Sequence, residues 1–310
     1  MTLKISLVVP EYNEEDNIIP LYKRVCEALK NYDFELILVD DGSKDRTFNI
    51  IEGIAKTDKR VVGIKLRKNS GQTAALSAGI NQAKGVIIVT SDGDLQNDPY
   101  DIPILINKIN VDGYDAVSGW RADRKDPFFK RINSKFANFL RRKLIKDEVH
   151  DAGCALKAYR REALDGLELY GEMHRYIHAL VKLRGFKVGE VRVRHHPRLR
   201  GKTKYNYKRL FKGFLDLLYV KFWNDYSTRP LHFFGVLGLF QYVLSVLILI
   251  EQIVKWSIVD KLVLGPMLLL AVLFVINGTL FIIFGFLSEV IIRTYYSSKN
   301  KKPYEIEKIV

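Results

Sequence analysis

Two long stretches near the end of this chain carry no charged side chain: residues 231–250 and residues 262–288. Each has roughly the 20 apolar residues that a helix needs to cross the hydrocarbon of a bilayer. A pair of core helices in a water-soluble protein would rarely run so far without a charge, and aromatic residues (Phe233, Phe234, Trp256) flank the runs as they do at lipid–water boundaries. The segment between them, from Glu251 to Lys261, is nearly charge-balanced, whereas Arg229 precedes the pair and Arg293, Lys299, Lys301 and Lys302 follow it. The positive-inside rule then reads the pair as a transmembrane hairpin with both chain ends in the cytoplasm. Small residues at Gly235 and Gly238 offer a face on which another copy could pack, which leaves the oligomeric state open and a homo-oligomer among the partners the sequence allows.

The 310-residue chain carries 49 Lys and Arg against 35 Asp and Glu, a net charge of +14, which calls for an anionic partner. No nucleic-acid motif accompanies the charge, and the basic residues lie beside the apolar runs, so nucleic acid is excluded in favour of membrane lipid and anionic substrates. Two cysteines, Cys26 and Cys154, without a C-x-x-C spacing exclude a disulfide scaffold and a structural zinc site. The first strand pattern begins at Ile5, so no cleavable presequence is expected.

The first hundred residues alternate strand and helix patterns. Strands are expected from Ile5, Phe34, Val61 and Val86, with helices over 17–29, 47–55 and 71–83 between them. That alternation predicts an α/β fold with a mainly parallel sheet, whose ligands gather at the carboxyl ends of the strands. Carboxylates collect there: Glu14 with Pro10 and Tyr12 after the first strand, Asp40 and Asp41 with Val39 at the second, Asp92 and Asp94 after the fourth. A dinucleotide fold would place G-x-G-x-x-G after its first strand, and none occurs. Asp92-Gly93-Asp94 instead suits a hard divalent cation, Mg2+ or Mn2+, which takes carboxylate oxygens and completes its shell with water or phosphate. Gly93 lets the backbone approach a ligand closely.

The runs VVPEYNEE (8–15), LVDDGSKDRT (38–47) and SDGDLQ (91–96) resemble the signature of the family 2 glycosyltransferases with a GT-A fold. Within that family the chain is most similar to the polyprenyl-phosphate hexosyltransferases, meaning the dolichol-phosphate mannose synthases and their bacterial undecaprenyl-phosphate relatives. The resemblance spans the whole chain, hairpin included. It implies nucleotide-sugar contacts at Pro10, Tyr12, Glu14, Val39, Asp41, Asp92, Gly93, Asp94 and Gln96, and metal binding by Asp92 and Asp94. The mannose synthases commonly carry Ala where this chain has Gly93. The segment VHDAGCALKAYRR (149–161) is more similar to the undecaprenyl-phosphate enzymes. There Asp151 is expected to orient the donor sugar or an arginine beside the reaction centre, while His150 and Cys154 read as structural.

A strand from Asp115 ends at Arg121, and a basic amphipathic helix is expected over about 127–146, suited to a headgroup layer. By resemblance Arg121, Arg131 (or Lys130) and Ser134 receive the acceptor's phosphate, for which arginine's forked donors are apt. Between Arg192 and Lys212 stand nine basic residues and no acid. Within them Arg198, Gly201, Thr203 and Lys204 match the family's R-x-x-G-x-[ST]-K loop, which implies that Arg198 and Lys204 close over the donor diphosphate.

The expected organisation is a cytoplasmic GT-A catalytic domain over 1–204 and an amphipathic juxtamembrane segment over 205–229. Two transmembrane helices follow within 230–293, at about 231–252 and 262–289, and then a cytoplasmic tail over 294–310. The resemblance implies a membrane-bound, metal-dependent inverting glycosyltransferase that moves a hexose from a UDP- or GDP-linked donor to polyprenyl phosphate. Asp92, Asp94, Asp151, Arg198 and Lys204 would be its catalytic set. A processive polysaccharide synthase would add Q-x-x-R-W and more spans, and neither is present. A non-catalytic sugar-nucleotide or lipid-phosphate binder would have no need of the intact acidic and basic set.

Overall fold

The computed structural model describes residues 4–122, 149–197, 218, 221–222, 226, 230–259, 265–297 and 306–309. The expected interface helix over 127–146 and most of the juxtamembrane segment lie outside them. The chain divides into two compact units, one of residues 1–220 and 302–310, the other of residues 221–301.

In the first unit, strands β1 (Ile5–Glu11), β2 (Phe34–Asp40), β3 (Val61–Leu66) and β4 (Ile87–Thr90) alternate with helices α1 (Glu15–Ala28), α2 (Thr47–Thr57) and α3 (Gln72–Gln82). Helix α4 (Ile102–Asp112) leads to β5 (Ala116–Trp120); then follow β6 (Lys157–Arg160), the short helices α5 (Arg161–Leu164) and α6 (Ile177–Leu183), and β7 (Val188–Arg192). These strands and a last one, β8 (Ile306–Ile309), form a sheet in the order β7-β5-β6-β4-β1-β2-β3-β8. The pairs β1–β2, β1–β4, β2–β3 and β5–β7 are parallel, whereas β6 runs antiparallel to both of its neighbours and β8 antiparallel to β3. The sheet is therefore mainly parallel, as the alternation of patterns predicts.

Strands buried on both faces are largely apolar, and β2 (FELILVD) is buried along its whole length, its inner acid Glu35 accepting hydrogen bonds from Ser6 Oγ and the Lys84 N–H at 2.5 Å each. Helices α1, α2 and α4 cover one face through Ile18, Leu21, Val25, Ile51, Leu105 and Ile109. On the other face α3 packs so closely that a Cβ on Gly79 would lie 2.3 Å from a methyl of Val8. Side-chain alternation along β1 sends Ile5, Leu7 and Val9 to the α1 face and Val8 to the α3 face. Because β1, β2 and β4 are parallel and in register, their carboxyl ends open on one edge, which is where the polar loops lie.

The second unit contains α7 (Pro230–Val259) and α8 (Pro266–Ser297), both long and apolar enough to cross a bilayer by length and composition. Two expectations need correction. Helix α7 continues through Glu251–Val259, which the sequence pattern reads as connection; a helical i, i+4 pair of Lys255 with Glu251 keeps those charges within the helix. Gly238 faces this chain's own second helix and not another copy: a Cβ there would lie 2.7 Å from the Gly278 carbonyl oxygen. Tyr242 Oη and Thr279 Oγ1 lie 2.8 Å apart, and Ser245 Oγ donates to the Ala271 carbonyl at 2.9 Å. Small residues and interhelical hydrogen bonds are the forces available where lipid removes the hydrophobic drive.

The contrast with Gly235, around which an added Cβ would meet nothing within 4 Å, makes a test. Gly238→Ile should destabilise the detergent-solubilised protein by roughly 1–3 kcal/mol through overpacking, and Gly235→Ile should not. Thermal unfolding of the two variants side by side checks this.

Candidate active site

The loops after β1 and β2 are tied to each other before any ligand arrives. The Asn13 N–H donates to Ser43 Oγ at 2.8 Å, the Lys44 N–H to Asn13 Oδ1 at 2.9 Å, and the Glu14 N–H to Thr47 Oγ1 at 3.0 Å. Asn13 sits at φ 51, a left-handed conformation that asparagine tolerates better than most residues. Glu14 in turn accepts from Asn17 Nδ2 at 2.6 Å.

Asp41 is buried, and its carboxylate accepts the backbone N–H groups of Ser70 at 2.7 Å and Gly71 at 2.9 Å. Its immediate work is to hold the loop between β3 and α3 against the end of β2. Burial pushes the pKa of Asp41 up, although those two hydrogen bonds pull the other way. Burial likewise raises that of Asp40, which accepts from the Ser43 N–H at 3.1 Å. Gly42 (φ +69) allows the two loops to touch backbone to backbone, since a Cβ there would lie 2.6 Å from the Lys68 carbonyl carbon.

Past β4, each aspartate of the Asp92-Gly93-Asp94 turn has a fixed neighbour. Gln72, the first residue of α3, donates from Nε2 to Asp92 Oδ1 at 2.7 Å. The Gln96 N–H donates to Asp94 Oδ1 at 3.2 Å across Leu95, which is buried with φ 60. Beneath the turn lies Glu11, whose burial, together with the charges of Glu14, Asp92, Asp94 and Asp40, pushes its pKa well above the usual carboxylate range.

At the end of β5, Arg121 and Asp151 form a bidentate pair: Nε to Oδ2 at 2.7 Å and Nη2 to Oδ1 at 3.0 Å. The side chains are only 10% and 15% exposed, so the pair is shielded enough to hold its geometry. Burial works against the charge of Arg121, but Asp151's hydrogen bonds and charge outweigh it and hold the guanidinium pKa above its ordinary range; the charge of Asp92 adds to this. His150 stacks on Trp120 and pairs with Glu190, and Cys154 is buried with its thiol pushed up to about 11 by burial. Both have the structural surroundings their isolation in the sequence suggests.

The segment that leads out of β7 toward Arg198 is fastened to the residues just after the acidic turn. Asn97 and His195 form an antiparallel bridge, and the His196 N–H donates to the Gln96 carbonyl at 2.8 Å. Arg194 reaches Asp101 through its backbone N–H at 2.7 Å and through Nε and Nη2 at 2.9 and 2.7 Å, while His196 Nε2 lies 3.1 Å from Asp98. Arg198 and Lys204 themselves, like Lys130, Arg131 and Ser134, lie outside the described residues. Three contributors escaped the sequence reading: Gln72, the Asp98–Asp101 anchor and Glu11. Gln72 and Asp98 carry no motif of their own. Glu11 had a usable signal, being an acid at a core position of a strand that ends beside the acidic turn.

The donor set suits a hard cation: two carboxylates on one turn, oxygen ligands only, with Glu11 behind them as a buried acid whose oxygens have no hydrogen-bond partner among the described residues. No group of three or more His, Cys, Asp or Glu placed to hold a metal occurs among the described residues, so the two aspartates would share such an ion with substrate or water.

The acidic turn after β4 and the held arginine after β5 stand at one edge of a mainly parallel sheet, and comparison with known proteins gives the class of protein to which this arrangement belongs. The Glycosyl transferase family 2 pattern matches residues 6–167, and the chain belongs to that family. Its full-length relatives narrow the class to polyprenyl-phosphate glycosyltransferases. The dodecaprenyl-phosphate galacturonate synthase of Rhizobium johnstonii is 41% identical over 99% of this chain and 93% of its own length. The undecaprenyl-phosphate 4-deoxy-4-formamido-L-arabinose transferase of Proteus mirabilis is 34% identical over 99% and 94%. Among solved structures, glucosyl-3-phosphoglycerate synthase from Mycobacterium tuberculosis, in complex with Mn2+ and UDP-glucose, shares the fold with a TM-score of 0.51 at 22% identity, over 71% of this chain and 79% of that one.

Asp98 gives the anchor a pH signature. Burial disfavours its charge, but hydrogen bonds from His196 and the Tyr100 N–H and the charge of Arg194 prevail, and its pKa falls below the ordinary value. A depressed carboxylate contributes stability that is complete above the unfolded pKa and disappears as pH falls through the folded one. Asp98→Asn should therefore lower the melting temperature at pH 7, and the deficit should narrow below about pH 4. Melting curves of both proteins across that range check it.

Proposed function

We propose that this protein is a membrane-bound, inverting glycosyltransferase that moves a sugar, a hexose, hexuronate or modified pentose, from a nucleoside diphosphate to the phosphate of a polyprenyl lipid. The observation that carries the reading is the convergence, on one edge of a GT-A sheet, of the Asp92–Asp94 turn and the Arg121–Asp151 pair. The names of the relatives, galacturonate and a formamido-arabinose on polyprenyl phosphate, support the lipid acceptor and widen the donor sugar beyond glucose and mannose.

In this reading Asp92 and Asp94 hold Mg2+ or Mn2+, which when bound offsets the charge growing on the departing nucleoside diphosphate. Gln72 and the Gln96 N–H keep the two carboxylates aimed before substrate arrives. Pro10, Tyr12, Glu14 and Val39 border the nucleotide, and Asp41 serves it through the loop it holds. Gln96 stands next to the donor. Arg121 receives the lipid phosphate. Asp151 occupies Nε and Nη2 and, among the described residues, leaves Nη1 for a second anion. Arg131 (or Lys130) and Ser134 complete that phosphate site. Arg198 and Lys204 close on the donor diphosphate from a loop whose base is pinned by Asp98 and Asp101. A phosphate oxygen is already an anion, so attack on the anomeric carbon needs no general base, and the cations mainly keep two anionic substrates side by side.

Helices α7 and α8 span the membrane as a hairpin. The pairing of β8 with β3 supports this, because the chain returns after α8 to the same sheet it left before α7. Both ends then lie on one side, which the flanking basic residues mark as cytoplasmic.

Labelled UDP- and GDP-sugars incubated with short polyprenyl phosphates in detergent should give a labelled sugar-lipid in the absence of chelator and none in its presence. Asp94→Asn should lower kcat at least about 100-fold. Arg121→Lys keeps the charge but loses the fork, and should raise KM for polyprenyl phosphate about tenfold with a smaller effect on the donor. Transfer by Asp94→Asn at the wild-type rate would refute the reading.

A further inference from the structure

Strand β1 sends Ile5, Leu7 and Val9 into the core beneath α1 and α4, and Glu11 is the next residue on that face. An acid has thus taken a core position. It is 1% exposed, and neither oxygen of its carboxylate has a hydrogen-bond partner among the described residues. The carboxylate is aimed at the acidic turn. A Cβ built on Gly93 would lie 2.0 Å from Glu11 Oε2, 2.2 Å from Oε1 and 2.3 Å from Cδ. A flexible surface side chain could move aside at little cost. Glu11 is enclosed, so residue 93 must do without a side chain. This accounts for glycine at the middle of the turn.

We infer that Glu11 is a positioning residue of the donor site, wedged against Gly93 so that it fixes the turn bearing Asp92 and Asp94. A shorter side chain at position 11 would leave the turn room to shift, and a side chain at position 93 would drive the turn off Glu11. Size at position 11 is therefore coupled to the turn. The inference rests on the reading of Asp92 and Asp94 as the cation-holding pair.

The test uses the full chain in detergent. Bound Mn2+ is measured by electron paramagnetic resonance in the presence of UDP and, separately, of GDP, alongside thermal unfolding. Gly93→Ala should weaken Mn2+ binding about tenfold or more, whereas the same change in a Glu11→Val background should cost less than about threefold, a double-mutant coupling between the two sites. Glu11→Gln keeps the shape, so its melting temperature should stay within about 2 °C of wild type and its Mn2+ binding within about threefold. If Glu11→Val does not fold, Glu11→Thr completes the same cycle. Equal damage by Gly93→Ala in both backgrounds, or a loss of Mn2+ affinity greater than about threefold in Glu11→Gln at an unchanged melting temperature, would overturn the inference. Asp94→Asn separates the two levels. If it binds Mn2+ like wild type, the cation site itself is misassigned. If it loses Mn2+ while Gly93→Ala retains it, only the role of Glu11 falls.

Discussion

Carboxylates brought to one edge of a parallel sheet repel one another, and the charges of Glu14, Asp92, Asp94 and Asp40 all act on the buried Glu11. The fold holds this arrangement by mechanical means. Gln72 reaches from α3 to Asp92, the Gln96 N–H clasps Asp94, and Glu11 fills the space under Gly93. Each clasp is made from an element that the apolar core has already placed, so core packing supplies the rigidity that like charges would otherwise disrupt. An acidic edge kept in shape without a ligand is what the proposed cation site requires, and preorganised electrostatics of this kind is usually the largest single contribution to catalysis.

The same logic extends along the edge to the cationic side. Arg121 alone would be a long, mobile side chain; locked by two hydrogen bonds to Asp151, it presents its charge at a set place beside the acidic turn. Arg194 and His196, joined to Asp101 and Asp98, hold the chain after β7 against the residues that follow the turn. The chain between Asp92 and Asp101 therefore carries the acidic turn on one end and the anchor of residues 194–196 on the other. In the proposed function, donor and acceptor charges fall to neighbouring parts of a single segment and its partners.

Much of this was legible in the sequence. The strand ends at Asp40, Asp92 and Arg121 followed from β-branched runs that stop at polar residues, and the charge-free stretches announced both long helices. What remained hidden depended on contacts between distant residues. Asp151 meets Arg121 across 30 positions. The role of Glu11 needed the strand's side-chain parity and its neighbour across the sheet, since β1 and β4 meet only in the fold. β8 is four residues, two of them charged, and reads as tail until the exposed edge of β3 offers it hydrogen bonds. Gly238 signalled close helix packing, but only the structure shows that the partner is Gly278 of the same chain.

The central claim is that the turn after β4 holds a divalent cation against a sugar nucleotide. Anomalous diffraction at the manganese edge, from crystals of the full chain grown with Mn2+ and UDP or GDP, tests it most directly. The account predicts a single strong peak at about 2.1 Å from carboxylate oxygens of Asp92 or Asp94, shared with the nucleotide's phosphates. A peak bound elsewhere, or nucleotide seated on the sheet edge with no metal at these aspartates, would contradict it.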